Sequence, residues 1–406
     1  MSAAGARPAA PASDGTASVI ILLACAAFFS SAALRVADAL LPRLVLDFGV
    51  GLGEAAQIVT GFAVAYGLMQ LVSGPLADRY GKTRMICLAV FGSTVAALAS
   101  VLSPSFTWLV VARVAWGMAA AGVIPLAMAW IGDALPYEQR QATLARFLTG
   151  TLSGMIVGQF VGGLFAESTL GWRGAFTGFV VGNLVVGILL LRHLRQNAGT
   201  ASPAPSADAQ LGTLARVANV LRRPWARIVL LAVLCEGLFL LGPLAFLPTY
   251  LHDRFGVSIL VAAAVTALNA VGGLVYAILA RRIVQRLGER RMVSYGGALV
   301  GGAFAALWLM PDWWVGAPLA FIAGFGTYLL HNTLQTHATQ MAPEWRGTAV
   351  SLFAFCLFVG QAIGVAVCGL VIERVGHTPP WITGALLVPV TGWLFAAALR
   401  RRQALG

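Results

Sequence analysis

The stretch Gly74-Pro75-Leu76-Ala77-Asp78-Arg79-Tyr80-Gly81-Lys82-Thr83-Arg84 joins two long apolar segments and contains one acid and three basic residues. A related stretch, Ile283-Val284-Gln285-Arg286-Leu287-Gly288-Glu289-Arg290-Arg291-Met292, begins 207 positions after Leu76 and also lies between apolar segments. Both copies contain the spacing Arg-x-Gly. The match predicts a repeated unit of about half the chain.

Further matches support this repeat. Four glycine and glutamate positions recur at an offset of 206, and Leu-Pro recurs at the same offset. The matched sets are Gly154, Gly158, Gly163 and Glu167 with Gly360, Gly364, Gly369 and Glu373, and Leu41-Pro42 with Leu247-Pro248. Shared apolar composition does not explain matched polar and glycine positions at one offset. We therefore predict two halves that run in the same direction.

The composition excludes a water-soluble protein, because 59% of the 406 residues are hydrophobic and only 10% are charged. A helix that crosses a bilayer needs about 20 predominantly apolar residues. Twelve such segments are predicted near 19–40, 55–76, 85–102, 106–130, 142–166, 175–194, 228–247, 260–280, 292–310, 315–335, 348–371 and 381–399. The predicted fold class is an all-α membrane protein with twelve transmembrane helices in two parallel six-helix repeats.

This pattern divides the chain into five predicted regions. They are a disordered cytoplasmic leader at 1–18, an N-terminal six-helix bundle at 19–194, a cytoplasmic linker at 195–227, a C-terminal six-helix bundle at 228–399 and a cytoplasmic tail at 400–406. The first apolar segment lacks a preceding basic cluster and a clear cleavage site, so we interpret it as a retained helix. Within the linker, helical spacing at 211–223 predicts either a helix on the membrane surface or a solvated helix.

The net charge is +12, and the basic residues that produce it are distributed as membrane orientation requires rather than gathered on one soluble face. Basic residues concentrate in the loops after helices 2, 4, 6, 8 and 10 and in the terminal segments, whereas the other loops contain only Arg43, Arg173, Arg254 and Arg374. By the positive-inside rule, both termini are predicted to be cytoplasmic. We predict a multi-pass plasma membrane protein, in a bacterium an inner membrane protein, and no binding to nucleic acid.

Four ionisable residues fall inside the predicted helices, where charge is costly and usually functional. They are Arg35 and Asp38 on helix 1, Arg113 on helix 4 and Glu236 on helix 7. Arg35 and Asp38 are three residues apart and can share a helix face, so a purely structural ion pair is the alternative interpretation.

Polar residues on two other helices extend this candidate site. Asn269 lies on helix 8, and His331 and Gln335 are four residues apart on helix 10. His337 lies nearer the predicted cytoplasmic end, where solvation is expected. No third convergent ligand is identifiable, so no metal site is predicted.

The opening stretch carries a family resemblance. It matches the pattern Gly-x-Leu-Ala-Asp-Arg-x-Gly-Arg-[Lys/Arg], with Lys82 in place of the usual Arg. The whole chain resembles the major facilitator superfamily, and its first half resembles the branch of drug:proton antiporters and sugar-efflux proteins.

The resemblance implies that the loop acts as a gate. Its candidate gating residues are Gly74, Asp78, Arg79, Gly81 and Arg84. Gly74 is expected to allow close packing, and Gly81 a tight turn. Asp78 would face the start of helix 11 near Arg346 as a latch; an ordinary solvated ion pair is the alternative. The second copy carries Gln285 at this position, so only the first latch would be charged.

Two further signatures of this family are recognisable. Helix 5 carries Gly154, Gly158, Gly162 and Gly163, which resemble the antiporter signature Gly-x-x-x-Gly-Pro-x-x-Gly-Gly, except that Gln159 replaces proline. These glycines predict either close helix packing or flexing at the interface between halves. Arg113 with Gly117 resembles the signature Arg-x-x-x-Gly on helix 4, which implies that Arg113 influences proton transfer.

These observations predict a secondary active transporter that works by alternating access. The first hypothesis is proton-coupled efflux of small amphipathic or cationic compounds, and so drug resistance, with Asp38, Glu236 and Arg113 in proton coupling. Substrate binding is assigned to Arg35, Asp38, Arg113, Glu236, Asn269, His331 and Gln335. The alternative is a proton-coupled or facilitative transporter of a sugar or anionic metabolite, which Arg35 and Arg113 would attract. A receptor or scaffold is a third possibility.

The partners predicted are a small-molecule substrate, protons and membrane lipid. One chain contains a complete predicted pathway, so we expect the monomer to be functional. No cofactor is predicted. No nucleophile and base form a recognisable constellation, so we predict that the protein is not an enzyme.

Overall fold

A computed structural model describes residues 14–135, 137–196 and 213–405, and this part of the chain is helical without β-strands. The predicted leader and linker lie partly outside the described residues. The first half contains α1 (Asp14–Phe48), α2 (Leu52–Ala55), α3 (Gln57–Tyr80), α4 (Lys82–Val101), α5 (Phe106–Ala120), α6 (Val123–Ala134), α7 (Tyr137–Ala166) and α8 (Gly171–Gln196).

The second half follows the helix α9 (Thr213–Arg222). It contains α10 (Pro224–Glu236), α11 (Gly242–Leu244), α12 (Leu247–Phe255), α13 (Ile259–Leu309), α14 (Gly316–Gln340), α15 (Arg346–Val375) and α16 (Thr378–Leu405). A π-helical turn, Gly237–Leu241, connects α10 with α11. In α9, Val220 is buried in the core of the second half, whereas Leu214 is exposed.

Twelve spans result once α13 is divided. In the described part of the chain, eleven stretches are long and apolar enough to cross a membrane, and α13 alone has 51 residues. A straight helix of that length would extend roughly 75 Å, far more than the bilayer core of about 30 Å. At Gly288 the backbone is not helical, with φ 68° and ψ 162°, so spans 8 and 9 meet there. The predicted fold class is therefore confirmed.

The two halves repeat the same turn. Gly81 separates α3 from α4 with φ 91° and ψ 135°, and Gly288 adopts a similar conformation at the equivalent position between spans 8 and 9. Positive φ is costly for residues with a Cβ, which explains glycine at both sites. Gly74 differs from its expectation: no atom of the described chain lies within 4 Å of a Cβ built there, so close packing does not explain it.

Glycines let the fifth span approach the first within van der Waals contact of the backbone. A Cβ built on Gly154, Gly158 or Gly162 of α7 would overlap a backbone oxygen of α1. The second half repeats this contact, because Gly360 and Gly364 of α15 lie against the backbone of the seventh span. These contacts fall within each half and fit the packing interpretation of the ladder.

The two halves make close contacts at one end of the bundle and also between α3 and α15, where the ring centres of Tyr66 and Phe358 are 4.5 Å apart. We call the end that holds Asp14 and Leu405 the terminal side and the other end the opposite side. Gly163 of α7 approaches α13, with a Cβ position 3.0 Å from the oxygen of Ile259. Gly369 of α15 similarly approaches α2, with a Cβ position 3.1 Å from the Cα of Gly53. Small residues thus form the contact between halves on the opposite side.

The close contact between α7 and α1 predicts a strong effect of side-chain volume. Gly158→Leu would place the new side chain against the backbone of Ala32 and force the two helices apart. We expect a lower melting temperature in detergent, since overpacking typically costs about 1–3 kcal/mol. Gly178→Leu is the control, because no described atom lies within 4 Å of a Cβ at Gly178. Equal melting temperatures for the two variants would contradict this account.

Candidate functional site

A central cavity lies between the halves and is lined by six of the twelve spans. The lining residues are Leu34, Arg35 and Asp38 of α1, Met155 and Gln159 of α7, Glu236, Leu241 and Leu244 of span 7, Thr266, Ala267, Asn269 and Ala270 of α13, Thr327, Tyr328 and His331 of α14, and Leu357, Phe358 and Gln361 of α15. The structure therefore brings together five predicted site residues: Arg35, Asp38, Glu236, Asn269 and His331.

The first half contributes an ion pair to this cavity. The Nη1 atom of Arg35 lies 3.4 Å from Oδ2 of Asp38, one helical turn away on α1. The Asp38 side chain is only 2% exposed. Its other oxygen, Oδ1, is buried and has no hydrogen-bond partner among the described residues. Buried polar atoms are normally paired, so an unpaired oxygen in a cavity is a candidate contact for a ligand.

The second half contributes a carboxylate and an imidazole. Nδ1 of His331 lies 2.9 Å from Oε1 of Glu236, which joins span 7 to span 10. Oε2 of Glu236 is also buried without a partner in the described part of the chain. Glu236 ends α10 immediately before the π-helical turn, a local irregularity that is frequent at functional sites. The sequence predicted both residues as candidates but not their contact.

Arg113 lies behind the cavity wall instead of lining it. Its guanidinium donates to the carbonyl oxygens of Ala33 at 3.1 Å and Ile58 at 3.4 Å, and its Cζ lies 4.3 Å from the ring centre of Phe62. Arg113 is fully buried, and its charge interacts with that of Asp38. Arg113 therefore does not reach the cavity in this structure, and both its assignment to substrate binding and its electrostatic influence on Asp38 stay predictions.

Two residues of α14 also differ from expectation. Gln335 is exposed and does not belong to the cavity lining, although it lies one turn from His331. His337 is buried, contrary to the expected solvation, with Nε2 3.2 Å from an oxygen of Glu289. It packs against the rings of Trp225 and Phe395. Helical spacing indicates which residues share a face but not how deeply each side chain is buried.

Among the cavity residues that the sequence analysis does not predict are two glutamines, Gln159 and Gln361. The sequence analysis treats Gln159 only as a departure from the antiporter signature. Both are buried and line the cavity. A signal was present: Gln361 directly follows Gly360 of the second ladder, as Gln159 follows Gly158 of the first.

The predicted gate on the terminal side is described only in part. The side chain of Asp78 lies outside the described residues, so its predicted latch stays a prediction. Arg79 and Arg84 are exposed, and Cζ of Arg79 lies 5.4 Å from the ring centre of Tyr80. Lys82 forms an ion pair with Asp133 of α6.

Two glutamates connect the halves on the opposite side. Oε2 of Glu373 accepts a hydrogen bond of 3.1 Å from the backbone N–H of Gly53 in the other half. Oε1 of Glu167 accepts from the backbone N–H of Ile259, at the start of α13. Glu167 and Glu373 occupy equivalent repeat positions, so the pair of contacts is nearly symmetric. A carboxylate at a helix start is favoured because the first N–H groups are unpaired there.

The comparison with protein families agrees with this architecture. Residues 23–365 match the family model of the Major Facilitator Superfamily. The chain belongs to this superfamily.

Several members of the superfamily are similar along most of their length. The uncharacterized MFS-type transporter YceJ of Bacillus subtilis is 24% identical, over 83% of this chain and 85% of the relative. The probable sulfoacetate transporter SauU of Cupriavidus necator is 26% identical, over 85% of each protein. The quinolone resistance protein NorA of Staphylococcus aureus is 23% identical, over 82% of this chain and 84% of the relative.

A solved structure supports the same fold. A bacterial homologue of the human lysosomal transporter Spinster, in an inward-facing and unoccupied conformation, aligns with a TM-score of 0.71 at 20% identity. The alignment covers 95% of this chain and 96% of the other. As a member of this superfamily, the chain is a secondary transporter, and the central cavity is its candidate substrate site.

The glutamate contacts predict that removing both charges loosens the opposite side. In a Glu167→Gln/Glu373→Gln variant, the acceptors for Ile259 and Gly53 become weaker. Spin labels attached at Leu46→Cys and Val375→Cys, one on each half, would report the distance between the halves in a background without the native cysteines. We expect the double variant to show a larger population of long label-to-label distances.

The control for this experiment is Glu54→Gln. Glu54 is an exposed acid beside Gly53, so the substitution changes the charge of the same region without removing either contact between halves. A distance distribution in the double variant that matches the control would contradict the assigned role of the two glutamates.

Proposed function

We propose that this secondary transporter exports small amphipathic cations in exchange for protons. The observation that carries the proposal is the pair of carboxylates in one cavity, Asp38 from the first half and Glu236 from the second. Each has one buried oxygen without a partner in the described structure. A cationic group between them would satisfy both oxygens and bridge the halves.

The proposed coupling is competition between the proton and the cation for the same oxygens. On the outer side, protons would bind the carboxylates and displace the substrate cation. On the cytoplasmic side, proton release would restore the negative charge that attracts the next cation. Arg35 would neutralise Asp38 between these events, and the imidazole of His331 would exchange a proton with Glu236 across their 2.9 Å contact.

The proposal includes an orientation and an assembly. Both termini would be cytoplasmic, in agreement with the distribution of basic loops, and the membrane would be the bacterial inner membrane. Both carboxylates come from one chain, which supports a functional monomer. NorA, one of the similar proteins, is named a quinolone resistance protein, and that resistance is a property of this relative.

A second candidate function is transport of an anionic metabolite. Arg35 lies in the cavity and would attract an anion if Asp38 were protonated. SauU, the probable sulfoacetate transporter, is also similar over most of this chain. We rank this candidate second because the cavity contains two carboxylates and one arginine.

Removal of either carboxylate is expected to slow coupled transport strongly. With purified protein in liposomes that contain a pH dye, addition of tetraphenylphosphonium should drive proton movement in the wild type. We expect Asp38→Asn and Glu236→Gln each to reduce this rate at least about tenfold, because each removes a charge that both cation and proton need.

Asp47→Asn is the matched control, since Asp47 forms a partly exposed ion pair with Arg43 outside the cavity. Proton-coupled cation transport that persists in both cavity variants would rule out the proposed mechanism. Sulfoacetate flux that Arg35→Gln abolishes would instead favour the second candidate.

A further inference from the structure

The cavity contains two glutamine side chains that neither charged pair uses. Gln159 of α7 and Gln361 of α15 are 3% and 0% exposed. The Nε2 atoms of both, together with Oε1 of Gln361, have no hydrogen-bond partner in the described part of the chain. Burial of unpaired amide groups is unfavourable, so their presence in a substrate cavity requires an explanation.

Packing holds the backbone at both amides. Gly158 lies against the backbone of Ala32, and Gly360 lies against that of Leu234. In each case the glutamine is the next residue along the helix. The glycine faces the neighbouring helix, and the following glutamine faces the cavity. The backbone from which each amide extends is therefore fixed before a substrate arrives, which reduces the part of the entropy cost of binding that comes from ordering the backbone.

The internal repeat shows that the fold does not need these amides. At the offset of 206, the position equivalent to Gln361 is Met155, and the position equivalent to Gln159 is Val365. Met155 also lines the cavity, and Val365 is buried in a core cluster. The same helix packing thus exists with apolar residues, which argues for a role in binding.

We infer that Gln159 and Gln361 bind a neutral hydrogen-bonding group of the substrate, such as a hydroxyl or an amide, while the carboxylates bind its cationic group. This inference rests on the proposed function for the cationic group only. It narrows the substrate class to amines that also carry a neutral polar group. An amide both donates and accepts, so it matches a hydroxyl in either orientation.

Two isosteric cations test this specificity. Benzyl(2-hydroxyethyl)dimethylammonium and benzyldimethylpropylammonium differ by one hydroxyl in place of a methyl group. In calorimetric titrations of the purified wild type, we expect the hydroxylated cation to bind about tenfold more tightly, the value of one well-made hydrogen bond. Gln361→Met and Gln159→Val, which copy the residues of the equivalent helix, should each reduce this ratio toward one.

The control is the affinity for the propyl cation, which should not decrease in either variant, because this cation makes no hydrogen bond to the amides. This readout excludes general damage to the cavity, and each variant is an independent test if the other fails to fold. An unchanged ratio of affinities in both variants overturns the inference. A wild type that binds the two cations equally also overturns it.

Failure of the proposed function gives a different result. If the wild type binds neither cation, cation export is wrong, and the same titrations are made with D-xylose and sulfoacetate. Weaker binding of either ligand in Gln361→Met or Gln159→Val would then support substrate recognition by the amides. If neither ligand shows binding that depends on a glutamine, the inference is overturned as well.

Discussion

The structure depends on backbone contact between helices within each half. Lipid tails are as apolar as leucine, so burial of apolar side chains gives little drive for helix association in a bilayer. Glycines allow close approach instead, and α7 against α1 in the first half is repeated by α15 against the seventh span in the second. Helices α7 and α15 also carry Gln159 and Gln361 into the cavity, and Glu167 and Glu373 lie at the opposite-side ends of these two helices. Packing, binding and closure are therefore linked along single helices.

The polar contacts divide into two groups with different consequences for rocking. The pairs Arg35–Asp38 and Glu236–His331 each lie within one half, so a rigid rotation of the halves preserves them. The contacts of Glu167 and Glu373 join the halves, so opening of the opposite side must break them. Breaking a hydrogen bond at a helix start is inexpensive when water replaces the partner. Alternating access can thus occur without separation of the buried charges.

Much of this architecture was predictable because membrane helices have simple sequence rules. Twelve spans, the repeat and the turn at Gly81 follow from apolar length, matched positions and the conformational freedom of glycine. The charged cavity residues were recognisable because charge inside a membrane helix is rare. Contacts between distant spans were not predictable: Glu236 meets His331 across 95 residues, and Arg113 turns toward the carbonyls of α1 and α3. A single sequence predicts which residues share a helix face, but it does not predict which other helix that face contacts.

Gln159 shows how one substitution changes both shape and chemistry. The antiporter signature that this segment resembles has proline there, and proline would remove a backbone N–H and kink the helix. With glutamine, the backbone N–H is retained and α7 is one helix from Tyr137 to Ala166. The segment from Gln159 to Ala166 therefore connects the cavity with Glu167 through continuous helical backbone. The substitution replaces a flexible point with a polar group at the centre of the molecule, which favours rocking of rigid halves over bending of the fifth span.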